Sequence, residues 1–159
     1  GSMELHWRTG GSVSRSPQNR PSRAGQLMLI AWLVSLVATA AALFIGEVMG
    51  RVPCVLCWYQ RIAMFPLVVV LGAGVLRQDH AMVLPALVLA AAGWFVAGYH
   101  TLLYWGWIDP AITPCGSGPS CKQAVLQVLG AFDLPFVSWL AFTVIVLALA
   151  VSLKGNKHV

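Results

Sequence analysis

Residues 53–76 read PCVLCWYQRIAMFPLVVVLGAGVL, a head of two cysteines, three polar or aromatic residues and one arginine, followed from Ile62 to Leu76 by no charged residue at all. A helix needs about 20 predominantly apolar residues to cross a hydrocarbon core of about 30 Å, so the stretch reads as a membrane span with a reactive mouth. Working outward, three more stretches have the same character: about Gln26 to Val48, roughly Ala81 to Trp105, and Asp133 to Leu153. The 159 residues are 58% hydrophobic and 9% charged, whereas a soluble domain is nearer a quarter charged. Four such stretches exceed what one soluble core of this size could hide. The expected fold is all-α, a polytopic membrane four-helix bundle formed as one domain over residues 26–153.

The connections agree with that plan. Arg77 to His80 is too short for anything but a helix-to-helix turn, and Pro53 lies in a tight loop between the first two spans. Gly106 to Phe132 is the one long loop, and Asp133 with Pro135 behind it is an expected N-cap for the last span. Within the loop, Val125, Leu126, Val128 and Leu129 alternate with Lys122, Gln123 and Gln127, which predicts a short amphipathic helix on the membrane surface over Lys122 to Leu129. Residues 1–25 read as a disordered basic tail, of which Gly1 and Ser2 look like a scar of tag removal, and 154–159 as a second short basic tail. The first apolar run is too long for the core of a cleaved signal peptide, so the first span is expected to stay attached.

Basic residues near span ends are retained in the cytoplasm, which orients the bundle. Arg8, Arg15, Arg20, Arg23, Arg77, Lys154 and Lys157 fall on one side, against Arg51 and Lys122 on the other. Both termini are therefore expected in the cytoplasm, with the protein multi-pass in its membrane. Trp58, Tyr59, Tyr104, Trp105 and Trp107 gather at the opposite face as an interfacial belt. The net charge of +5 belongs mainly to the cytoplasmic tails, and no nucleic-acid partner is expected.

The four cysteines, Cys54, Cys57, Cys115 and Cys121, all fall on the exterior side, where disulfides persist. Three connectivities are open, of which Cys54 with Cys57 and Cys115 with Cys121 are the simplest. Cys57 enters a helix whose first-turn amides and dipole favour a thiolate, and Arg61 follows one turn deeper on the same face. Cys115-Gly116-Ser117-Gly118-Pro119-Ser120-Cys121 is instead a flexible segment whose glycines let its sulfurs meet or move apart. A permanent staple is the bland alternative, but a short-loop disulfide restrains the unfolded chain little, and an intramembrane charge such as Arg61 points to function. A four-cysteine zinc knuckle is the chemical competitor. It would be at home in a reducing compartment, and no metal is expected.

Electrons leaving a dithiol need an acceptor, and the sequence has neither a haem-attachment motif nor a dinucleotide fingerprint. A lipid-soluble quinone fits by elimination, with Arg61 and His100 placed to hydrogen-bond its carbonyl oxygens.

Pro53-Cys54-Val55-Leu56-Cys57-Trp58-Tyr59-Gln60-Arg61, together with Tyr99-His100-Thr101-Leu102 and Leu134-Pro135-Phe136, resembles the disulfide bond formation protein B family, DsbB and its BdbC relatives. The likeness runs from the first span to the fourth and omits the basic N-terminal tail. It implies a protein dithiol:quinone oxidoreductase that reoxidises a reduced periplasmic thioredoxin-like oxidase of the DsbA type. By the resemblance, that partner forms a mixed disulfide with Cys115, Cys121 exchanges with Cys54, and Cys57 donates to ubiquinone or menaquinone with Arg61 and His100 beside it. The chain is expected to work as a monomer. One departure stands out: long-loop members of the family separate the loop cysteines by far more than the five residues between Cys115 and Cys121, so the chain looks closer to short-loop relatives. Vitamin K epoxide reductase homologues share the four-helix plan, but carry their C-x-x-C after the loop pair rather than before it. Two other readings use the same residues, a reductant feeding electrons outward and a non-catalytic protein with two structural disulfides.

Overall fold

The computed structural model describes residues 22–109, 127–128 and 132–156, with only the backbone at Gln127, Val128, Phe132 and Asn156. Four long helices dominate: α1, Arg23–Leu43; α2, Val55–Arg77; α3, Val83–Tyr104; and α4, Leu134–Asn156. Each contains or lies within a segment long and apolar enough to cross a membrane, as the expected all-α bundle requires. The starts and stops are legible in local chemistry. Ser22 caps α1 by accepting from the Gly25 amide at 3.2 Å. At the end of α2, Gln78 adopts a left-handed conformation (φ 50°) and the Asp79 amide bonds back to the Gly74 carbonyl at 3.0 Å, closing the helix. The Asp79 carboxylate then accepts from the Ala81 amide at 2.9 Å and opens a 3-10 turn, His80–Met82, that leads directly into α3.

The first span departs from a plain helix at its far end. Its last turn, Phe44–Val48, is π-helical, wider than the α-helix that precedes it. The expected surface helix is corrected where it is described. Gln127–Val128 forms a strand, β1, paired antiparallel with β2, Phe132–Asp133, in the register Gln127 with Asp133 and Val128 with Phe132. Valine and phenylalanine favour extended backbone, and the pairing satisfies amides and carbonyls that an isolated short helix leaves open at both ends. The rest of the expected helix lies outside the described residues, as do both tails apart from the helical ends.

The four helices pack through small residues, as expected where lipid tails remove the usual hydrophobic drive and close backbone approach has to supply attraction. Ala31, Ala63, Ala86, Ala90 and Ala97 are buried along the seams. Gly93 on α3 lets the fully buried ring of Phe142 on α4 lie against the backbone, in space a Cβ would need. Polar side chains also tie one helix to another: Trp94 Nε1 donates to Thr143 Oγ1 at 2.9 Å, and Ser152 Oγ donates to the Ala24 carbonyl at 3.3 Å. The outward faces are apolar too, with Val37, Val69, Val88, Phe95 and Leu147 exposed. A helix apolar on all sides belongs in hydrocarbon, and this is a membrane protein.

Candidate functional site

The two cysteines of residues 53–76 sit where α2 begins. Cys54 is the N-cap and Cys57 the third helical residue, so the free Cys57 amide points back and donates to Cys54 Sγ at 3.4 Å. The sulfurs are 2.8 Å apart as unbonded thiols. The sequence expectation gave the benefit of the helix end to Cys57; the geometry directs it to Cys54, because the helix starts one residue after that cysteine. Cys54, just before the span and 1% exposed, is held well below the ordinary thiol range, to about 4. The Cys57 thiol donating to its sulfur is the largest cause, burial opposes it, and His100 and the Cys57 amide add to it.

The sign of that shift gives a test. Cys54 should stay a thiolate down to a pH of about 4 and gain a proton only below it. In reduced protein carrying Cys115→Ser and Cys121→Ser, thiolate ultraviolet absorbance is expected to survive acidification through neutral pH and fall near that value. Cys57→Ala, which removes the main donor, should move the step upward; an ordinary thiol titration in the unsubstituted pair would contradict the geometry.

Behind Cys54 stands His100, one turn before the end of α3 and 3% exposed. Its Nε2 lies 3.9 Å from Cys54 Sγ, and its Nδ1 lies 3.0 Å from Gln60 Nε2. Ser138 Oγ on α4 donates to Gln60 Oε1 at 2.6 Å. The chain of donors therefore runs from α4 through α2 to α3: serine to glutamine, glutamine to histidine, and histidine N–H to sulfur. A glutamine amide donating to Nδ1 leaves the ring proton on Nε2, facing Cys54.

Arg61, one turn below Cys57, reaches across to α1. Its Nη2 donates to the Ala42 carbonyl at 2.7 Å, and its Cζ lies 5.6 Å from the centre of the Trp58 ring. Gly46, in the π-helical turn, makes room for it; a Cβ there would come within 2.8 Å of Nη2. Cys57, Gln60, Arg61 and His100 share one cavity of about 170 Å³, whose other walls include Ala38, Ile45, Phe65, Pro135 and Ala141. Apolar walls with a few convergent polar groups are the chemistry a flat ring bearing carbonyl oxygens requires, so the residues present fit a quinone headgroup.

Of the six expected site residues, Cys54, Cys57, Arg61 and His100 converge here, whereas Cys115 and Cys121 lie outside the described residues. Three participants escaped the sequence reading. Gln60 carried a signal, an amide inside a span, where polar groups are costly and kept for a reason. Ser138 and Gly46 carried none, because a serine or a glycine within an apolar helix is common.

The family model described as disulfide bond formation protein DsbB matches residues 23–152. A probable disulfide formation protein of Metapseudomonas resinovorans is 47% identical over 126 residues, covering 79% of this chain and 88% of that protein. Disulfide bond formation protein C of Bacillus subtilis is 35% identical over 126 residues, covering 79% of this chain and 91% of that one. No solved structure matches. With a cysteine pair capping an intramembrane helix and a family match that spans all four helices, the chain belongs to the DsbB family of disulfide bond formation proteins.

Proposed function

We propose that the protein is a dithiol:quinone oxidoreductase of the bacterial inner membrane that reoxidises a periplasmic, DsbA-like thioredoxin-fold oxidase and so sustains disulfide formation in exported proteins. The observation that carries this reading is the shared cavity: the half-buried sulfur of Cys57 and the guanidinium of Arg61 line one space of quinone-headgroup chemistry. The charge count supports both termini in the cytoplasm and residues 54–57 on the periplasmic side.

The route uses both pairs. The partner's thiolate attacks the Cys115–Cys121 disulfide, Cys115 takes the mixed disulfide, and the partner's second thiol releases it, leaving the partner oxidised and the loop pair reduced. The Cys121 thiolate then opens the Cys54–Cys57 disulfide at Cys54, and Cys115 closes the loop pair again, which leaves Cys54 and Cys57 reduced. Exchange runs through thiolates, and the Cys54 site stabilises one through the Cys57 thiol, His100 and the Cys57 amide. A quinone, ubiquinone or menaquinone, supplies when bound the two-electron, two-proton acceptor that returns Cys54 and Cys57 to a disulfide. Arg61, anchored on the Ala42 carbonyl, holds a fixed positive charge at the cavity wall, and His100 keeps an N–H beside the sulfur.

Anaerobic mixing of the purified chain with a reduced thioredoxin-fold protein and defined quinones tests the reading. Quinone absorbance should fall only while reduced partner is supplied; a chain that reduces no benzoquinone or naphthoquinone would overturn it, and net electron flow toward the partner would favour the reductant instead. In the same assay Arg61→Met is expected to raise the quinone KM about 10- to 100-fold, the size of one charge-assisted hydrogen bond. Gly46→Ala should act in the same direction by pushing the guanidinium off its anchor, with a smaller effect and an unchanged melting temperature. An unaltered KM in both would remove the quinone from this cavity.

A further inference from the structure

Cys54 Sγ, Cys57 Sγ and a ring nitrogen of His100 all lie within 4.8 Å of one another. Cys54 is 2.8 Å from Cys57 and 3.9 Å from His100 Nε2. A tetrahedral zinc ion with sulfur at about 2.3 Å and nitrogen at about 2.0 Å spaces its ligands by about 3.5 to 3.8 Å. To reach that spacing the two sulfurs part by about 1 Å and Cys54 Sγ closes on His100 Nε2 by about 0.4 Å, side-chain adjustments at the head of α2 and on α3. This set differs from the four-cysteine knuckle set aside above, since it draws one ligand from α3 and needs neither loop cysteine.

We propose that the reduced Cys54–Cys57 pair and His100 form a binding site for one thiophilic d10 cation of the zinc class, which arrests thiol exchange by occupying both sulfurs. Soft thiolates with one imidazole select such ions over magnesium or calcium. Two thiolates and a divalent cation sum to no net charge, so the bound set adds none beside Arg61. Each thiol that ligates releases its proton to solvent and no atom changes oxidation state. Cys57 and His100 line the cavity, which leaves space beside the set for a fourth ligand, as in open zinc sites with three protein ligands.

The outer shell is already built. A histidine that ligates through Nε2 carries its proton on Nδ1 and needs an acceptor there. Gln60 can turn its amide so that Oε1 accepts from Nδ1 and Nε2 donates to Ser138 Oγ, because a serine hydroxyl accepts as readily as it donates. The same glutamine therefore serves the metal-free thiolate in one orientation and the metal-bound imidazole in the other. The disulfide form has no thiolate to offer, so binding is confined to the reduced state. The arrest of exchange rests on the function proposed above; the binding does not.

Protein carrying Cys115→Ser and Cys121→Ser, reduced and kept anaerobic, is titrated with Cd²⁺ while the ultraviolet thiolate-to-cadmium charge-transfer band is followed. One equivalent per chain is expected, with none taken up after oxidation of the remaining pair. His100→Ala and Gln60→Leu should each weaken uptake about 10- to 100-fold. Should His100→Ala fail to fold, X-ray absorption at the zinc edge of the same protein with His100 intact, loaded with Zn²⁺, decides: two sulfur ligands with at least one nitrogen are expected. Absence of uptake by the reduced chain, equal uptake by the oxidised chain, uptake indifferent to His100→Ala in folded protein, or a zinc shell without nitrogen would each overturn the site. Quinone reduction by metal-free protein is measured separately. An active protein that binds no cadmium sinks the site alone, and one that binds cadmium without reducing any quinone sinks the functional reading and leaves the site standing.

Discussion

Cys57→Ser lowers quinone reduction by roughly a thousandfold or more, on the scale of losing a nucleophile, while the bundle stays folded. Serine keeps a donor beside Cys54 Sγ, so the buried thiolate retains a partner and the helix start keeps its amide-to-sulfur bond. Only the second redox sulfur is gone, and without it no disulfide can re-form at the head of α2. The measurement is stopped-flow quinone absorbance with reduced partner, alongside thermal unfolding. Turnover within tenfold of the unsubstituted protein would mean that electrons leave by another route. A folded, inactive protein is the expected pair of results.

Gly93→Leu should be the most damaging single change to the fold. The ring of Phe142 rests on the Gly93 backbone where any Cβ would collide with it, and Phe142 is fully buried with no free side to move toward. Overpacking of a tight core costs about 1 to 3 kcal/mol, and occasionally more; here the obstruction is a whole ring between two backbones, which places Gly93→Leu at or above the top of that range. Gly93→Ala, with one carbon, should fall within it. Melting temperature in detergent, or resistance to proteolysis, reads the difference. The compensating pair Gly93→Ala with Phe142→Leu should recover part of the loss, and a failure to recover any of it would place the strain elsewhere.

The spans were legible because hydrocarbon imposes a length and a composition that no other fold demands, and the four stretches satisfied both. Cys54, Cys57 and Arg61 were legible because they interrupt an apolar run at its mouth, where charge and sulfur are conspicuous. His100 was legible by position alone, near the end of α3; its partner Gln60 and the link onward to Ser138 depend on how three helices rotate about their axes, which one sequence does not encode locally. The misplacement of the thiolate from Cys54 to Cys57 has the same origin. Which residue caps a helix turns on a boundary one residue wide, and boundaries are the least determined part of a sequence reading. The π-helical turn of α1 and the β1–β2 pair were invisible for a related reason, since neither has a hydrophobic period of its own.

That turn at Phe44–Val48 has a consequence for how the chain tolerates changes of length. A π-turn carries one residue more than an α-turn and so acts as a phase slip of about 100° in everything downstream. Deleting one residue there would restore an unbroken α-helix and leave the segment leading to Pro53 close to its present direction, because the wider turn already absorbs the extra residue. A neutral-looking shortening in the α-helical part of the same span has no such slack: it would turn everything beyond it by about 100°, Gly46 included, and so uncouple that glycine from Arg61.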